Sequence, residues 1–194
     1  MDFFKDGILV IDNFFPEKIC EDLRKFALFP PKEYHDFYGE YKAMNFDRNI
    51  EEYSLKNIVD ECVLPKLDFL ENLTYDRSWF FVYDNKSNGV PAHADPSFVN
   101  LNVWITPNES VNNFEKNGLK IYHKIVDDDI SWYDYNRNSN FIKEQIKNSS
   151  YTLVPYRYNR AVLFLGKLFH ETMGVDMKDG YDNCRISYTF LFNN

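Results

Sequence analysis

Three side chains of this sequence have the types and the order of a mononuclear metal site. His93-Ala94-Asp95 places an imidazole and a carboxylate two positions apart, and His170 follows an apolar segment and a Gly-Lys turn. If His93-Ala94-Asp95 lies where a strand begins, residues i and i+2 share a side and both can reach one ion. Two imidazoles and one carboxylate are typical of non-haem Fe(II) and leave coordination positions open.

Zinc is the alternative metal for the same donors. Catalytic zinc sites with two histidines and a carboxylate usually carry the HExxH pattern. His170-Glu171-Thr172-Met173-Gly174 does not match that pattern. A lone His-x-Asp also arises readily by chance, so His93, Asp95 and His170 count as a site only because they occur together and in this order.

A candidate anion site follows near the end of the sequence. Arg185-Ile186-Ser187 lies in a segment with strand-like alternation. A buried arginine needs a negative partner, and its planar fork suits a carboxylate held by two hydrogen bonds. Ser187 shares the face of Arg185 and can donate to the same carboxylate. A second Arg-x-Ser, Arg137-Asn138-Ser139, lies in a polar loop and is discounted.

The elements that must position these residues are predicted as helices first and antiparallel strands second. Pro16–Phe26 and Glu52–Leu73 have helical spacing, the second broken near Pro65, whereas Phe29–Asn49 is predicted to be irregular. An acidic insert over 127–150 contains a short predicted helix, Asn140–Lys147. The predicted strands are Gly7–Ile11, Ser78–Tyr83, Asn100–Thr106, Leu119–His123, Tyr151–Pro155, Ala161–Leu165 and Arg185–Phe192.

Two of these strands carry polar residues on one side only. Asn100–Trp104 and Arg185–Phe190 alternate polar with apolar residues. In a wide barrel or jelly roll, the apolar face packs in the core and the polar face can line an interior pocket. Asn100, Asn102 and Trp104 are therefore candidates to line such a pocket. Trp104 is also a candidate core residue, and we favour that interpretation.

The order of these motifs resembles the Fe(II)/2-oxoglutarate-dependent oxygenase superfamily, and within it the prolyl-4-hydroxylase-like branch. The likeness covers about residues 78–192, and the opening strand and helix resemble the branch more loosely. A departure is Asn117-Gly118-Leu119, where relatives often have Gly-Gly-Leu. The motifs that carry the likeness are His93–Pro96, Asn100–Pro107, Pro155–Ala161, Leu168–Thr172 and Arg185–Ser187.

The resemblance implies a fold, a cofactor set and a reaction. The fold would be α+β, mainly β: a distorted double-stranded β-helix of the jelly-roll, cupin-like kind, with supporting N-terminal helices. Residues 1–194 would form one oxygenase domain, with 76–194 as its β core and 1–75 as its N-terminal part. His93, Asp95 and His170 would be the catalytic iron ligands. The cosubstrate 2-oxoglutarate would be consumed with O2 to give succinate, CO2 and a hydroxylated product.

The resemblance also assigns the residues that hold 2-oxoglutarate. Arg185 and Ser187 would hold its distal carboxylate. Tyr83 resembles a position that often contacts 2-oxoglutarate, and Asn100 is a further candidate for cosubstrate contact. The substrate would be a small molecule or a peptidyl residue such as proline. Two other functions stay open: a non-catalytic sensor that binds metal and 2-oxoglutarate, and a zinc hydrolase on a cupin-like scaffold.

Composition limits the setting and the partners. A formal net charge of −8 and the lack of a dense Lys/Arg run disfavour nucleic acid. No apolar run is long enough for a membrane span, and no signal-peptide pattern opens the chain. Three scattered cysteines do not form a disulfide framework. We therefore expect a cytoplasmic protein without membrane or nucleic-acid partners, and the sequence leaves its oligomeric state open.

Two further histidines and two segments have less specific interpretations. His35 and His123 are expected to be buried, hydrogen-bonded structural residues. The aromatic segment Tyr34–Tyr41, within 29–49, is either a lid over the pocket or a plain loop, and 127–150 is a second candidate lid.

Overall fold

The structure, a computed structural model, describes residues 3–30, 35–37, 40–47 and 55–194. Its strands are β1 Ile8–Asp12, β2 His35–Phe37, β3 Tyr41–Asp47, β4 Thr74–Tyr83, β5 Val90–His93, β6 Val99–Trp104, β7 Leu119–Ile125, β8 Tyr151–Val154, β9 Arg160–Leu165, β10 Leu168–Thr172 and β11 Arg185–Asn193. Its α-helices are α1 Phe3–Asp6, α2 Glu17–Leu28, α3 Leu55–Ile58, α4 Trp132–Asn136 and α5 Ser139–Ile146. No described helix is long and apolar enough to cross a membrane.

The strands form two antiparallel sheets. The larger sheet has the order β1-β9-β6-β11-β4-β3-β2, and the smaller has the order β5-β10-β7-β8. Strands that are neighbours in a sheet are often far apart in sequence, as β1 is from β9 and β11 is from β4. The predicted fold class, α+β and mainly β with a jelly-roll core, is confirmed.

The larger sheet is covered on both faces. Side chains alternate between these faces along each strand, so the alternation decides which residues face the space between the two sheets. Val99, Leu101 and Val103 of β6 pack in the apolar cluster that contains Leu23 and Ala27 of helix α2. The hydroxyl of Tyr188 on β11 donates to the Leu23 carbonyl at 2.9 Å, which ties the sheet to that helix. Asn100, Asn102 and Trp104 alternate with these apolar residues and therefore face the smaller sheet.

The insert over 127–150 packs on the outer face of the smaller sheet. Tyr135 of α4 and Ile142 of α5 are buried in one cluster with Ala94, Tyr122 and Phe169. The side chain of Asn138 caps α5 by accepting from the Phe141 backbone N–H at 3.2 Å. The described structure thus places the insert as a supporting layer behind the sheet.

The structure corrects several sequence-based boundaries. Phe29–Asn49 is not irregular where it is described, because β2 and β3 extend the larger sheet, with β3 paired along β4. Residues 31–34, 38–39 and 48–54 lie outside the described residues, so the candidate lid at Tyr34–Tyr41 is described only in part. The predicted helix Glu52–Leu73 runs from α3 into a π-helical turn, Val59–Val63, and a 3-10 turn, Leu64–Lys66, around Pro65. The local geometry changes there because proline cannot donate the hydrogen bond that an α-helix needs.

Candidate metal centre and anion site

The two candidate histidine ligands are brought together by strand register. β5 pairs antiparallel with β10, and His93 is the direct cross-strand partner of His170. Their rings are 4.3 Å apart between centroids. His93 is the last residue of β5, so the expectation that a strand begins there is wrong. Asp95 lies two residues beyond the end of the strand, just before a backbone bend at 96–98, and its carboxylate still reaches both histidines.

Both imidazoles are oriented by the same local contact. Nδ1 of His93 lies 2.8 Å from the Pro91 carbonyl oxygen, and Nδ1 of His170 lies 3.0 Å from the Leu168 carbonyl oxygen. A carbonyl can only accept, so each Nδ1 carries the proton and each Nε2 keeps its lone pair. Such a second contact fixes both the tautomer and the direction of a metal-binding histidine.

The two free nitrogens converge on Asp95. Nε2 of His93 lies 3.9 Å from Oδ1 of Asp95, and Nε2 of His170 lies 3.5 Å from Oδ2. One donor atom from each of the three residues falls within 4.8 Å of the other two. Asp95 and His170 are buried, and the His93 side chain is 19% exposed, so the cluster is enclosed on most sides and open beside His93.

The Asp95 carboxylate is held from behind by a short polar chain. Nδ2 of Asn100 donates to Oδ2 of Asp95 at 2.7 Å, and the hydroxyl of Ser97 donates to Oδ1 of Asn100 at 2.5 Å. The Asp95 backbone N–H donates to the Gly166 carbonyl at 2.9 Å. The structure thus places Asn100 as the residue that orients Asp95, a role that sequence analysis missed. Its contact with a cosubstrate stays a prediction.

The loop that carries Asp95 passes close to the turn before β10. A β-carbon on Gly166 would lie 2.2 Å from Oγ and 2.4 Å from the carbonyl oxygen of Ser97, closer than any side chain tolerates. Behind the loop, the Ala94 backbone N–H donates to the Tyr135 carbonyl at 3.0 Å, and Nδ2 of Asn136 donates to the Ala94 carbonyl at 2.8 Å. Helix α4 of the insert therefore fixes the backbone between two of the three candidate ligands.

The electrostatics of the cluster keep its donors available to a cation. Burial, together with the charge of His170, lowers the pKa of His93 to about 4, so its ring is neutral at pH 7. Burial acts to raise the pKa of Asp95, but the neighbouring His170 and His93 rings and the hydrogen bond from Asn100 outweigh burial, and the pKa is lowered. Neutral imidazole and ionised carboxylate are the forms that bind metal.

The predicted anion site contains a fully buried arginine whose two terminal nitrogens are not hydrogen-bonded by any described residue. Arg185 is 0% exposed, and its Nε donates to the Asn117 carbonyl at 3.0 Å. Nη1 and Nη2 of Arg185 and Oγ of Ser187 are buried without a hydrogen-bond partner among the described residues. An uncompensated buried charge costs several kcal/mol, so a pocket built this way fits an anionic ligand such as a carboxylate.

Asn117 is a second contribution that sequence analysis missed. Its carbonyl orients Arg185, and its side chain donates to the carbonyls of Asn113 and Asp176 and accepts from the Asp176 backbone N–H. It stands where sequence analysis noted a departure from Gly-Gly-Leu. That departure was the available signal, because a buried asparagine usually has a specific hydrogen-bonding role.

Aromatic rings enclose the Arg185 guanidinium. Its Cζ lies 4.7 Å from the ring centroid of Tyr83, 5.6 Å from that of Trp104 and 5.8 Å from that of Tyr156. Tyr83, the cross-strand partner of Arg185, is thus beside the predicted site, and its contact with a cosubstrate stays a prediction. Trp104 is fully buried and stacks on Tyr156 at 5.2 Å, as expected for a core residue.

A cavity of about 550 Å³ opens beside β5 and the end of β10. Glu40, one of its acidic residues, accepts hydrogen bonds from the backbone N–H and the side chain of Asn88. Arg137 of the discounted Arg-x-Ser pair lines this cavity, and its guanidinium lies 5.6 Å from the ring centroid of Trp132. The cavity is lined by Glu40, Tyr41, Asn88, Gly89, Val90, Pro91, Arg137, Glu171, Thr172, Met173 and Gly174.

His35 and His123 lie outside the cluster. Both are exposed, so the expectation that they are buried is wrong. His123 Nε2 lies 2.8 Å from the hydroxyl of Thr152, which agrees with the predicted hydrogen-bonded role. Among the described residues, the only group of three potential ligands is His93, Asp95 and His170.

Comparison with known proteins shows the same fold in solved structures. The non-haem α-ketoglutarate-dependent epimerase SnoN from nogalamycin biosynthesis matches with a TM-score of 0.71 and 13% identity, covering 99% of this chain and 80% of that one. A Pseudomonas putida prolyl-4-hydroxylase matches with a TM-score of 0.60 and 14% identity, covering 100% and 95%. HygX from Streptomyces hygroscopicus, solved with nickel and 2-oxoglutarate, matches with a TM-score of 0.66 and 12% identity, covering 98% and 84%.

Sequence comparisons add no relative. No protein-family model and no curated protein matches the chain. At such low identities the structural matches show the fold alone. The chemistry has to be inferred from the residues of this chain.

Proposed function

We propose that this protein is a non-haem Fe(II)- and 2-oxoglutarate-dependent oxygenase. The observation that carries the proposal is the presence of two complementary clusters facing the space between the sheets. One cluster offers two imidazole nitrogens and a carboxylate, and the other offers a buried guanidinium fork with no partner among the described residues. These are the binding groups that an octahedral metal and a dicarboxylic cosubstrate need.

Each residue has a defined role in this proposal. His93, Asp95 and His170 would hold Fe(II), and Arg185 with Ser187 would hold the distal carboxylate of 2-oxoglutarate. When bound, the iron, the cosubstrate and O2 supply oxidative decarboxylation to succinate and CO2 and the oxidation of the substrate. The chain itself orients the ligands through the Pro91 and Leu168 carbonyls and keeps Asp95 in place through Asn100.

Enclosure is the second contribution of the chain. Arg185 and Ser187 are at most 1% exposed, so water is excluded around the carboxylate end. The metal end is more open, because the His93 side chain keeps 19% of its surface. This asymmetry supports entry of the substrate on the His93 side, where the cavity with Arg137 and Glu171 lies.

For the substrate we propose a small molecule or a peptidyl residue such as proline, hydroxylated at carbon. The fold similarity to a prolyl-4-hydroxylase supports the peptidyl alternative. The similarity to an epimerase from nogalamycin biosynthesis and to HygX with bound hygromycin B supports the small-molecule alternative. We also propose a cytoplasmic location, which the free thiols of Cys20, Cys62 and Cys184 support.

Anaerobic titration tests the proposal directly. Adding Fe(II) and then 2-oxoglutarate to purified protein should produce the weak visible metal-to-ligand charge-transfer band of a chelated 2-oxo acid. His170→Ala should abolish the band, and His123→Ala should retain it, because His123 is exposed and outside the cluster. A correctly metallated protein without the band would refute the proposal and favour a zinc hydrolase.

A second experiment separates an enzyme from a sensor. Candidate peptides and small molecules are screened by succinate release with mass spectrometry of the product. A product that gains one oxygen in step with succinate supports the oxygenase. Tight 2-oxoglutarate binding without coupled succinate for any candidate favours the non-catalytic sensor.

A further inference from the structure

The anion pocket holds one more unsatisfied donor than its arginine and serine. The indole Nε1 of Trp104 is buried and has no hydrogen-bond partner among the described residues. Trp104 as a whole is 0% exposed. Tryptophan normally finds a partner for this N–H when it is buried, so the position calls for a ligand acceptor or a specific explanation.

Strand register places this donor on the same face as the other two. Trp104 on β6 is the direct cross-strand partner of Ser187 on β11, and Arg185 lies two positions before Ser187. Side chains at cross-strand positions and at i and i+2 point to one side of a sheet. The three residues therefore face the same interior space, and the Arg185 Cζ lies 5.6 Å from the indole centroid.

The number of donors matches one carboxylate. A carboxylate has two oxygens with about four acceptor positions. A guanidinium fork occupies one position on each oxygen, which leaves one free on each. Among the described residues, Ser187 Oγ and Trp104 Nε1 are the two further donors on this face that lack a hydrogen-bond partner.

We propose that Trp104 is a specificity-determining residue that donates its indole N–H to the distal carboxylate of the cosubstrate, together with Arg185 and Ser187. The inference rests on the proposed function and deepens it. It explains why the pocket uses an indole where a phenyl ring would stack equally well on Tyr156. It also implies that the pocket selects dicarboxylic 2-oxo acids over monocarboxylic ones of equal length.

Wild-type protein provides the first test. The chain has three tryptophans, so a sample labelled with ¹⁵N at the indole gives three N–H signals, which Trp79→Phe and Trp132→Phe assign. The protein is loaded with Zn(II), which is diamagnetic and inert to O2. The Trp104 signal should move downfield with 2-oxoglutarate and stay in place with 2-oxopentanoate, which has the same length without the distal carboxylate. If the chemical shift of the Trp104 N–H does not change when 2-oxoglutarate is added, the inference is overturned.

Affinity provides the second test. At position 104, 3-benzothienylalanine keeps the bicyclic shape and replaces the N–H donor by a sulfur atom that cannot donate. Calorimetry with the Zn(II) protein should show 2-oxoglutarate binding weakened by roughly ten- to a hundred-fold, the loss expected for one hydrogen bond to a charged group. Binding of 2-oxopentanoate should change less than two-fold, and Trp79→Phe should affect neither ligand.

The outcomes separate the two levels of the argument. If wild-type protein does not bind 2-oxoglutarate, the proposed function fails and the inference fails with it. If wild-type protein binds but the altered residue binds equally well, only the inference fails. If both 2-oxo acids lose affinity by the same factor, Trp104 acts through packing and the inference is overturned.

Discussion

Replacing Arg185 by methionine should stabilise the ligand-free protein and remove its response to 2-oxoglutarate. Arg185 is fully buried, and its two terminal nitrogens have no partner among the described residues. Methionine is of similar length, apolar and flexible enough to fill the same space. The substitution therefore removes a charge that the ligand-free protein leaves uncompensated.

The magnitude follows from three opposing effects. Relief of an uncompensated buried charge contributes about 3–5 kcal/mol. Against it, the Asn117 carbonyl loses the Nε donor at 3.0 Å, which costs about 1 kcal/mol. Loss of the cation–π contacts with the surrounding aromatic rings costs about 2 kcal/mol. The net gain is about 1 kcal/mol, or about 2–4 °C in Tm for a domain of this size.

Ligand should reverse the order of stability. At a 2-oxoglutarate concentration of 100 Kd, the metal-loaded wild type gains about 2.7 kcal/mol, whereas Arg185→Met gains little because the carboxylate has lost its counter-charge. Thermal unfolding followed by circular dichroism, with and without 2-oxoglutarate, measures both differences. The matched control is Arg160→Met, which breaks the hydrogen-bonded pair with Asp12 and should lower Tm equally in both conditions.

The result that would refute this reasoning is a ligand-free Arg185→Met protein that is less stable than wild type by more than about 3 kcal/mol. Such a loss would exceed the combined cost of the carbonyl and the cation–π contacts, within the range of single-residue effects. It would mean that Arg185 is a structural residue compensated within the fold and that no anionic ligand is needed to explain it.

Three further predictions concern stability and reactivity. The hydrogen bond from Arg160 lowers the pKa of Asp12, so the pair stabilises the fold above the unfolded pKa of about 3.9 and loses this effect as pH falls through the folded pKa. Urea unfolding should show that Asp12→Asn is about 1 kcal/mol less stable than wild type at pH 7 and equally stable near pH 2. A stability difference that persists near pH 2 would contradict the assignment. Burial raises the pKa of the Cys184 thiol to about 11. Iodoacetamide at pH 8 should therefore label Cys184 roughly two orders of magnitude more slowly in native protein than in urea-unfolded protein. Equal labelling rates would show that the native protein has an accessible thiolate at this position. Gly166→Ala should lower the free energy of unfolding by about 1–3 kcal/mol and weaken metal binding in calorimetry, because the added β-carbon would clash with the Ser97 backbone. The control Gly174→Ala should change neither measurement, because its nearest neighbour is a flexible lysine side chain at 3.3 Å.

The long strands and the residues that cluster between the sheets can be predicted from local sequence patterns. Arg185–Phe192 and Ala161–Leu165 were recognised because alternation and β-branched content are local signals. The grouping of His93 with His170 could be predicted from motif order alone. Their direct cross-strand pairing could not, because register between strands far apart in sequence depends on the whole sheet.

The unpredicted features depend on tertiary context. β5 has only four residues and contains Pro91, so no local pattern favours a strand, and its pairing with β10 supplies the stability. The aromatic and charged residues of β2 and β3 lack a clear period and therefore predict irregular structure, yet β3 is stabilised by pairing along β4. The orienting contacts of Asn100 and Asn117 join residues that only the folded chain brings together.

The pairing of His93 with His170 also has a consequence for folding during synthesis on the ribosome. Roughly 80 residues separate the two strands, so at 5–20 residues per second β10 leaves the ribosome about 4–16 s after β5. Of the three candidate ligands, only His93 and Asp95 have emerged during that interval, and neither is yet held by β10 or by the turn at Gly166. If the protein is the proposed oxygenase, binding of a metal by all three ligands would therefore follow completion of the smaller sheet.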